Sequence, residues 1–213
     1  MESLDELLKM AEVAHGHLCA GQVLGVRLAM LGLQKLDIHD PRGKDRKRLV
    51  TFVEIDRCAT DAIGVVTGCR LGKRALKFRD WGKMAATFVD LTSGRALRIA
   101  ATESSKARAR ELYPEIENKN QQQMRAYREM PDSDLFTEQW VEVDLHAREF
   151  PGHKSGRIVC DECGEGINYD RFVQREGRTL CLSCAEPEKR YYRPVEKKSG
   201  ELVTISVPNC ECP

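Results

Sequence analysis

Residues 160–184, CDECGEGINYDRFVQREGRTLCLSC, hold two Cys-x-x-Cys knuckles, Cys160/Cys163 and Cys181/Cys184, separated by residues 164–180. That spacing is expected of a four-thiolate zinc site, because each knuckle presents two sulfurs to one face of a tetrahedral ion. Four thiolates close the coordination shell and leave no position for a substrate, so the expected role is structural. Gly164, Gly166 and Gly177 permit the turns that carry the chain around the ion. A module of about 30 residues cannot fold on apolar burial alone, so the metal supplies much of its stability. Iron in a rubredoxin-like site accepts the same four sulfurs, and zinc is favoured.

On either side of the knuckles the chain is less informative. Residues 151–156, PGHKSG, read as a turn-rich linker, which gives a first domain at 1–150 and a cysteine module with its tail at 157–213. Lys189, Arg190 and Arg193 interleave with Tyr191 and Tyr192, a pattern that also occurs in nucleic-acid binders. Glu186, Glu188, Glu196 and Glu201 dilute that charge, so a solvated surface is the preferred reading and nucleic acid is not the expected partner. Cys210 and Cys212 end the chain two residues apart, either incidental or able to carry sulfur to another site.

The 213 residues carry 34 Lys+Arg against 33 Asp+Glu, a formal charge of +1, which excludes a global field drawing the protein to nucleic acid or anionic membrane. The acidic, helical N-terminus lacks the basic start and apolar run of a signal peptide, and no stretch is apolar enough to span a bilayer. A soluble cytoplasmic protein is expected. In that reducing setting nine cysteines point to metal ligation or reactive thiols rather than disulfides.

Upstream, Ser3 and Glu6 form a capping-box pattern at the head of an amphipathic helix over 3–14, and a largely apolar helix follows from about Cys19 to Leu36. Residues 37–48 read as an exposed charged loop, 48–55 as a strand and 58–69 as a short helix. Strands are expected at 76–78, 86–91 and 96–100, helices at 104–112 and 116–130, and a last half-buried strand at 140–145.

Between these elements lies a second concentration of reactive side chains, His15-Gly-His17-Leu-Cys19-Ala-Gly21, at the entry of the apolar helix. A thiol there feels the helix N-terminal dipole, which favours thiolate, and histidine binds metal or moves protons near neutral pH. Cys58 and Asp61 open another helix in the same manner, and Cys69 closes it. Each alone has a bland explanation, a buried thiol or a turn histidine. Together, at element ends, they form a candidate site.

These residues also carry a resemblance. His15-Gly-His-Leu-Cys-Ala-Gly21, Cys58-Ala-Thr-Asp61-Ala-Ile63 and Thr67-Gly-Cys69 resemble the FmdE family, named for one of the components of formylmethanofuran dehydrogenase, over roughly residues 10–150. The family usually has proline where this chain has Ala20, a change that removes no candidate ligand. Residues 160–184 are similar to treble-clef or ribbon-like fingers of the DksA/TraR class. The resemblance implies an α+β fold, helices on a mainly antiparallel sheet with a small zinc finger appended, and a homodimer with a cleft lined by the motif residues. His17, Cys19 and Cys58 are its first candidates for metal or reactive groups, with Asp61 as orienting carboxylate and His15 and Cys69 as second choices. Zinc is expected in the finger and zinc or iron in the N-terminal site.

Three functions follow as expectations. The first is a metal-binding accessory or redox protein similar to that dehydrogenase component, partnered with a molybdo- or tungstoenzyme. The second is a metal-sensing regulator whose finger contacts nucleic acid or RNA polymerase. The third is a stand-alone enzyme, for which no phosphate loop or nucleophile elbow is present.

Overall fold

The computed structural model describes residues 2–193 and divides into two compact units, Met1–His153 and Lys154–Pro213. The division falls inside the turn-rich stretch at 151–156. Among the described residues no helix is long and apolar enough to cross a membrane.

In the first unit, α1 (Leu4–His15) begins on the complete Ser3/Glu6 capping box and ends on Gly16, left-handed at φ 97°. Helix α2 (Ala20–Lys35) is the centre of the core: Val23, Val26, Leu28 and Leu33 have no exposed surface. Its glycines set the packing distances. An ideal Cβ on Gly25 would stand 2.6 Å from the Ala59 carbonyl oxygen, and one on Gly32 would stand 2.4 Å from the Phe88 ring. Glycine at those positions lets α2 touch α3 (Cys58–Thr67) on one side and the sheet on the other.

The sheet is mixed. Strands β1 (Leu49–Val53), β2 (Leu76–Phe78), β3 (Ala85–Asp90), β4 (Ala96–Ala101) and β5 (Phe136–Val141) lie in the order β2-β1-β3-β4-β5. The β1–β2 pair is parallel, bridged by α3, and the other three pairs are antiparallel. Helices α4 (Ser104–Leu112), α5 (Lys119–Glu129) and α6 (Asp132–Leu135) connect β4 to β5. The outer face of the sheet, Val50, Phe52, Val89 and Ala96, is covered by Leu91, Val141, Val143 and Leu145.

Three expectations shift. The last strand runs over Phe136–Val141 rather than 140–145, because the alternating Val141, Val143 and Leu145 form an irregular strap over the sheet instead of continuing the ladder. Helix α5 starts at Lys119, capped by the Asn118 side chain, not at 116. The charged loop 37–48 is not uniformly exposed: Ile38 and Asp45 are buried, and Asp40 folds the turn by accepting from the Gly43 and Lys44 amides.

The second unit holds two small hairpins, β6 (Ile158–Val159) with β7 (Gly166–Ile167) and β8 (Phe172–Arg175) with β9 (Arg178–Cys181), followed by α7 (Leu182–Ala185). Its core is small, made of Cys160, Ile167, Leu180 and Ala185.

Candidate functional site

The four cysteines of the second unit place one sulfur each within 4.8 Å of one another. A tetrahedral zinc with Zn–S bonds of about 2.3 Å needs sulfurs roughly 3.8 Å apart. Cys163 Sγ and Cys181 Sγ are 3.9 Å apart. The donor set therefore fits zinc. Surrounding donors favour thiolate: the Cys181 amide donates to Cys160 Sγ at 3.2 Å and Arg190 Nη2 to Cys184 Sγ at 3.2 Å. Backbone amides of Cys163 and Cys181 hold Cys160 down to about 6, whereas the neighbouring Cys181 thiol, with the other sulfurs, pushes Cys184 up to about 12. Four thiolates this close need a cation between them.

The basic run after the knuckles is largely occupied within the finger. Arg190 Nε donates to the Ser183 carbonyl at 2.6 Å while its Nη2 reaches Cys184, and Lys189 pairs with Glu186 at 2.7 Å. Cys210 and Cys212 lie outside the described residues.

In the first unit the N-termini of α2 and α3 converge. Cys19 is the N-cap of α2 and Cys58 the first residue of α3, and neither helix start has a side-chain cap of its own. The Ala20 amide is satisfied instead by Asn120 Oδ1 from α5 at 2.9 Å, so the Cys19 sulfur is not spent on capping. Gly21 lies between the two thiols: a Cβ there would stand 3.4 Å from Cys58 Cβ and 3.8 Å from Cys19 Sγ.

Burial, and next the Cys19 thiol beside it, raises Cys58 above an ordinary cysteine. The expectation that a helix N-terminus leaves this sulfur as thiolate is thus corrected, because desolvation and a neighbouring acid outweigh the dipole. A bound cation would reverse that balance.

The histidines stand next to this pair in the chain. His15 Nδ1 is 2.8 Å from Asp61 Oδ2, and the His15 and His17 ring centroids are 4.8 Å apart. A carboxylate only accepts, so Nδ1 donates and Nε2 keeps its lone pair for a metal or a proton. Among the described residues, the finger is the one group of three or more His, Cys, Asp or Glu whose donor atoms come within 4.8 Å, so the N-terminal donors do not form a closed cage within one chain.

Cys69 is not with them. It sits beyond the far end of α3, buried, its Sγ accepting from the Thr51 hydroxyl at 3.5 Å, which makes it a packed thiol. Gln22 was not evident from sequence. It is fully buried, donates to the Cys58 carbonyl at 3.3 Å, and its Oε1 finds no donor. A glutamine in the apolar run 22–33 was the available signal.

Comparison with known proteins bears on this arrangement. The family model described as FmdE, molybdenum formylmethanofuran dehydrogenase operon, matches residues 14–137, more than half the chain. The chain belongs to the FmdE family. The prokaryotic DksA/TraR C4-type zinc finger model matches residues 154–190. A curated relative from Archaeoglobus fulgidus, described as a probable S-adenosyl-L-methionine-binding protein, is 29% identical over 93% of this chain, which spans 58% of that relative's length. The crystal structure of an FmdE-like protein of tungsten formylmethanofuran dehydrogenase from Syntrophus aciditrophicus superposes with a TM-score of 0.59 at 19% identity. It covers 89% of this chain and 95% of that one, a likeness of fold.

Proposed function

We propose that this FmdE-family chain is a metal-binding accessory or redox protein of molybdenum or tungsten enzyme metabolism. In this reading the Cys19–Cys58 pair is the working site and the four-cysteine finger a structural or docking module. The observation that carries it is the convergence of α2 and α3, which brings two thiols together at two helix N-termini. Cys19 and Cys58 serve as thiolates, His17 as imidazole ligand or proton carrier, and Asp61 holds His15 in one tautomer. The orphaned Gln22 Oε1 beside Cys58 supports a site whose complement is incomplete without a ligand.

Zinc or iron suits a mixed sulfur and nitrogen set, and a group from a second copy would complete the coordination in a homodimer. Partnership with a molybdo- or tungstoenzyme, and any oxidoreductase role, belong to the same proposal and follow from the family. The regulator reading draws less support, because Arg190 and Lys189 are engaged inside the finger.

Cobalt(II) titration tests the reading. The full chain is expected to develop thiolate-to-cobalt absorption beyond one equivalent, and Cys58→Ala to stop at one. Saturation at one equivalent in both proteins would contradict it.

A further inference from the structure

The widest cavity of the first unit lies apart from the thiol pair, along the face that α1 and α3 share, and its volume is about 830 Å³. That is large enough for a small organic ligand, since such sites run about 300–1,000 Å³. Five cations line it: Arg42, Arg46, Lys47, Arg70 and Lys73. No acid lines it. With 34 Lys+Arg against 33 Asp+Glu in the chain, five charges of one sign would meet by chance roughly once in thirty.

One of the five has an assigned task. Arg42 Nη1 donates to the Val65 carbonyl at 3.0 Å near the end of α3, and its Nη2 pairs with Glu2. Gly68, left-handed at φ 69°, makes room for it, since a Cβ there would stand 2.9 Å from Arg42 Cγ. Among the described residues no carboxylate pairs with Arg46, Lys47, Arg70 or Lys73. Held around one concavity, four uncompensated cations repel one another and raise the local concentration of anions.

The rest of the lining is apolar. Met10 and Ala14, one turn apart on α1, face the cavity with Val65 and Ala75. The rim at Pro151 and Gly152 is held in place from the β2 side, where Lys77 Nζ donates to the Glu149 carbonyl at 2.7 Å and Arg79 pairs with Glu149 at 2.6 Å.

We infer that this cavity binds a small organic polyanion, its phosphate or carboxylate groups taken by Arg46, Lys47, Arg70 and Lys73 and its carbon body by the Met10–Val65 wall. Arginine forks suit either oxyanion, and two or more negative charges are needed to balance the set. The cavity also adjoins the candidate site through the chain. Ala14 precedes His15, and Gly64 follows Asp61 by about one helical turn, roughly 4.5 Å along α3.

Calorimetric titration of the full chain in about 0.1 M salt tests this, with ATP and pyrophosphate as phosphate probes and citrate as the carboxylate probe. The expected result is submillimolar binding of at least one probe. Affinity should fall about tenfold or more in R46E/K47E and again in R70E/K73E, and stay unchanged in Lys106→Glu on α4. The altered rim residues are exposed and make no ion pairs, so unchanged circular dichroism is expected of each variant. Binding by ATP and pyrophosphate but not citrate would assign phosphate, and the converse carboxylate. No binding by any probe below about 1 mM, or wild-type affinity in both double variants, would overturn the inference.

Discussion

His15 Nδ1 stands 2.8 Å from Asp61 Oδ2, which joins the last residue of α1 to the first turn of α3. The link orients the imidazole beside the helix end that carries Cys58. Asp61→Asn keeps the size of the side chain but removes the charge that fixes the tautomer. The pair is partly exposed, so stability should change by less than about 1 kcal/mol. Metal affinity of the N-terminal site should fall by about ten- to a hundredfold. Thermal unfolding and metal titration on the same variant separate these effects.

Gly25 sets how closely α2 and α3 approach. Gly25→Ala places a methyl 2.6 Å from the Ala59 carbonyl oxygen and 2.9 Å from Ala62 Cβ, atoms that cannot move aside cheaply. A loss of about 1–3 kcal/mol is expected in urea unfolding. Forcing the helices apart should also slow oxidative crosslinking of Cys19 to Cys58, measured by mass spectrometry of the tryptic pair.

Asp90 is buried at the end of β3. Burial would raise its pKa, but the Arg48 guanidinium, the Ser93 hydroxyl and the Thr92 amide together bring it down to about 2. A carboxylate held low contributes stability above its unfolded value and loses that contribution as the pH falls. Stability should therefore decline from about pH 4 toward pH 2, and Asp90→Asn should cost up to about 2 kcal/mol near neutrality while flattening that slope. Denaturant midpoints at several pH values read both.

Removing the metal should separate the two units. The finger's core is four residues, so it depends on its ion, whereas the first unit buries a continuous core around α2. A strong chelator is expected to abolish amide protection across 158–185 and to leave that of α2 and β3 intact in hydrogen exchange.

Much of the fold was legible because its elements carry local signals. The capping box at Ser3, the apolar run of α2 and the two knuckles each declare themselves within a few residues. The last strand was misplaced because Val141, Val143 and Leu145 alternate like a strand while packing as a strap. At the candidate site, the motif residues His15, Asp61, Cys19 and Cys58 were evident, but their pairing across 46 and 39 residues was not. Gln22, Asn120 and the cationic cavity were missed for the same reason: each acquires meaning only when distant elements meet.

Metal counted per chain in protein purified without chelator, wild type beside Cys58→Ala, bears most directly on the claim that the Cys19–Cys58 pair is a working metal site. The account predicts more metal than the one ion of the finger in the wild type and a fall to one in the variant. One zinc per chain in both proteins would contradict it.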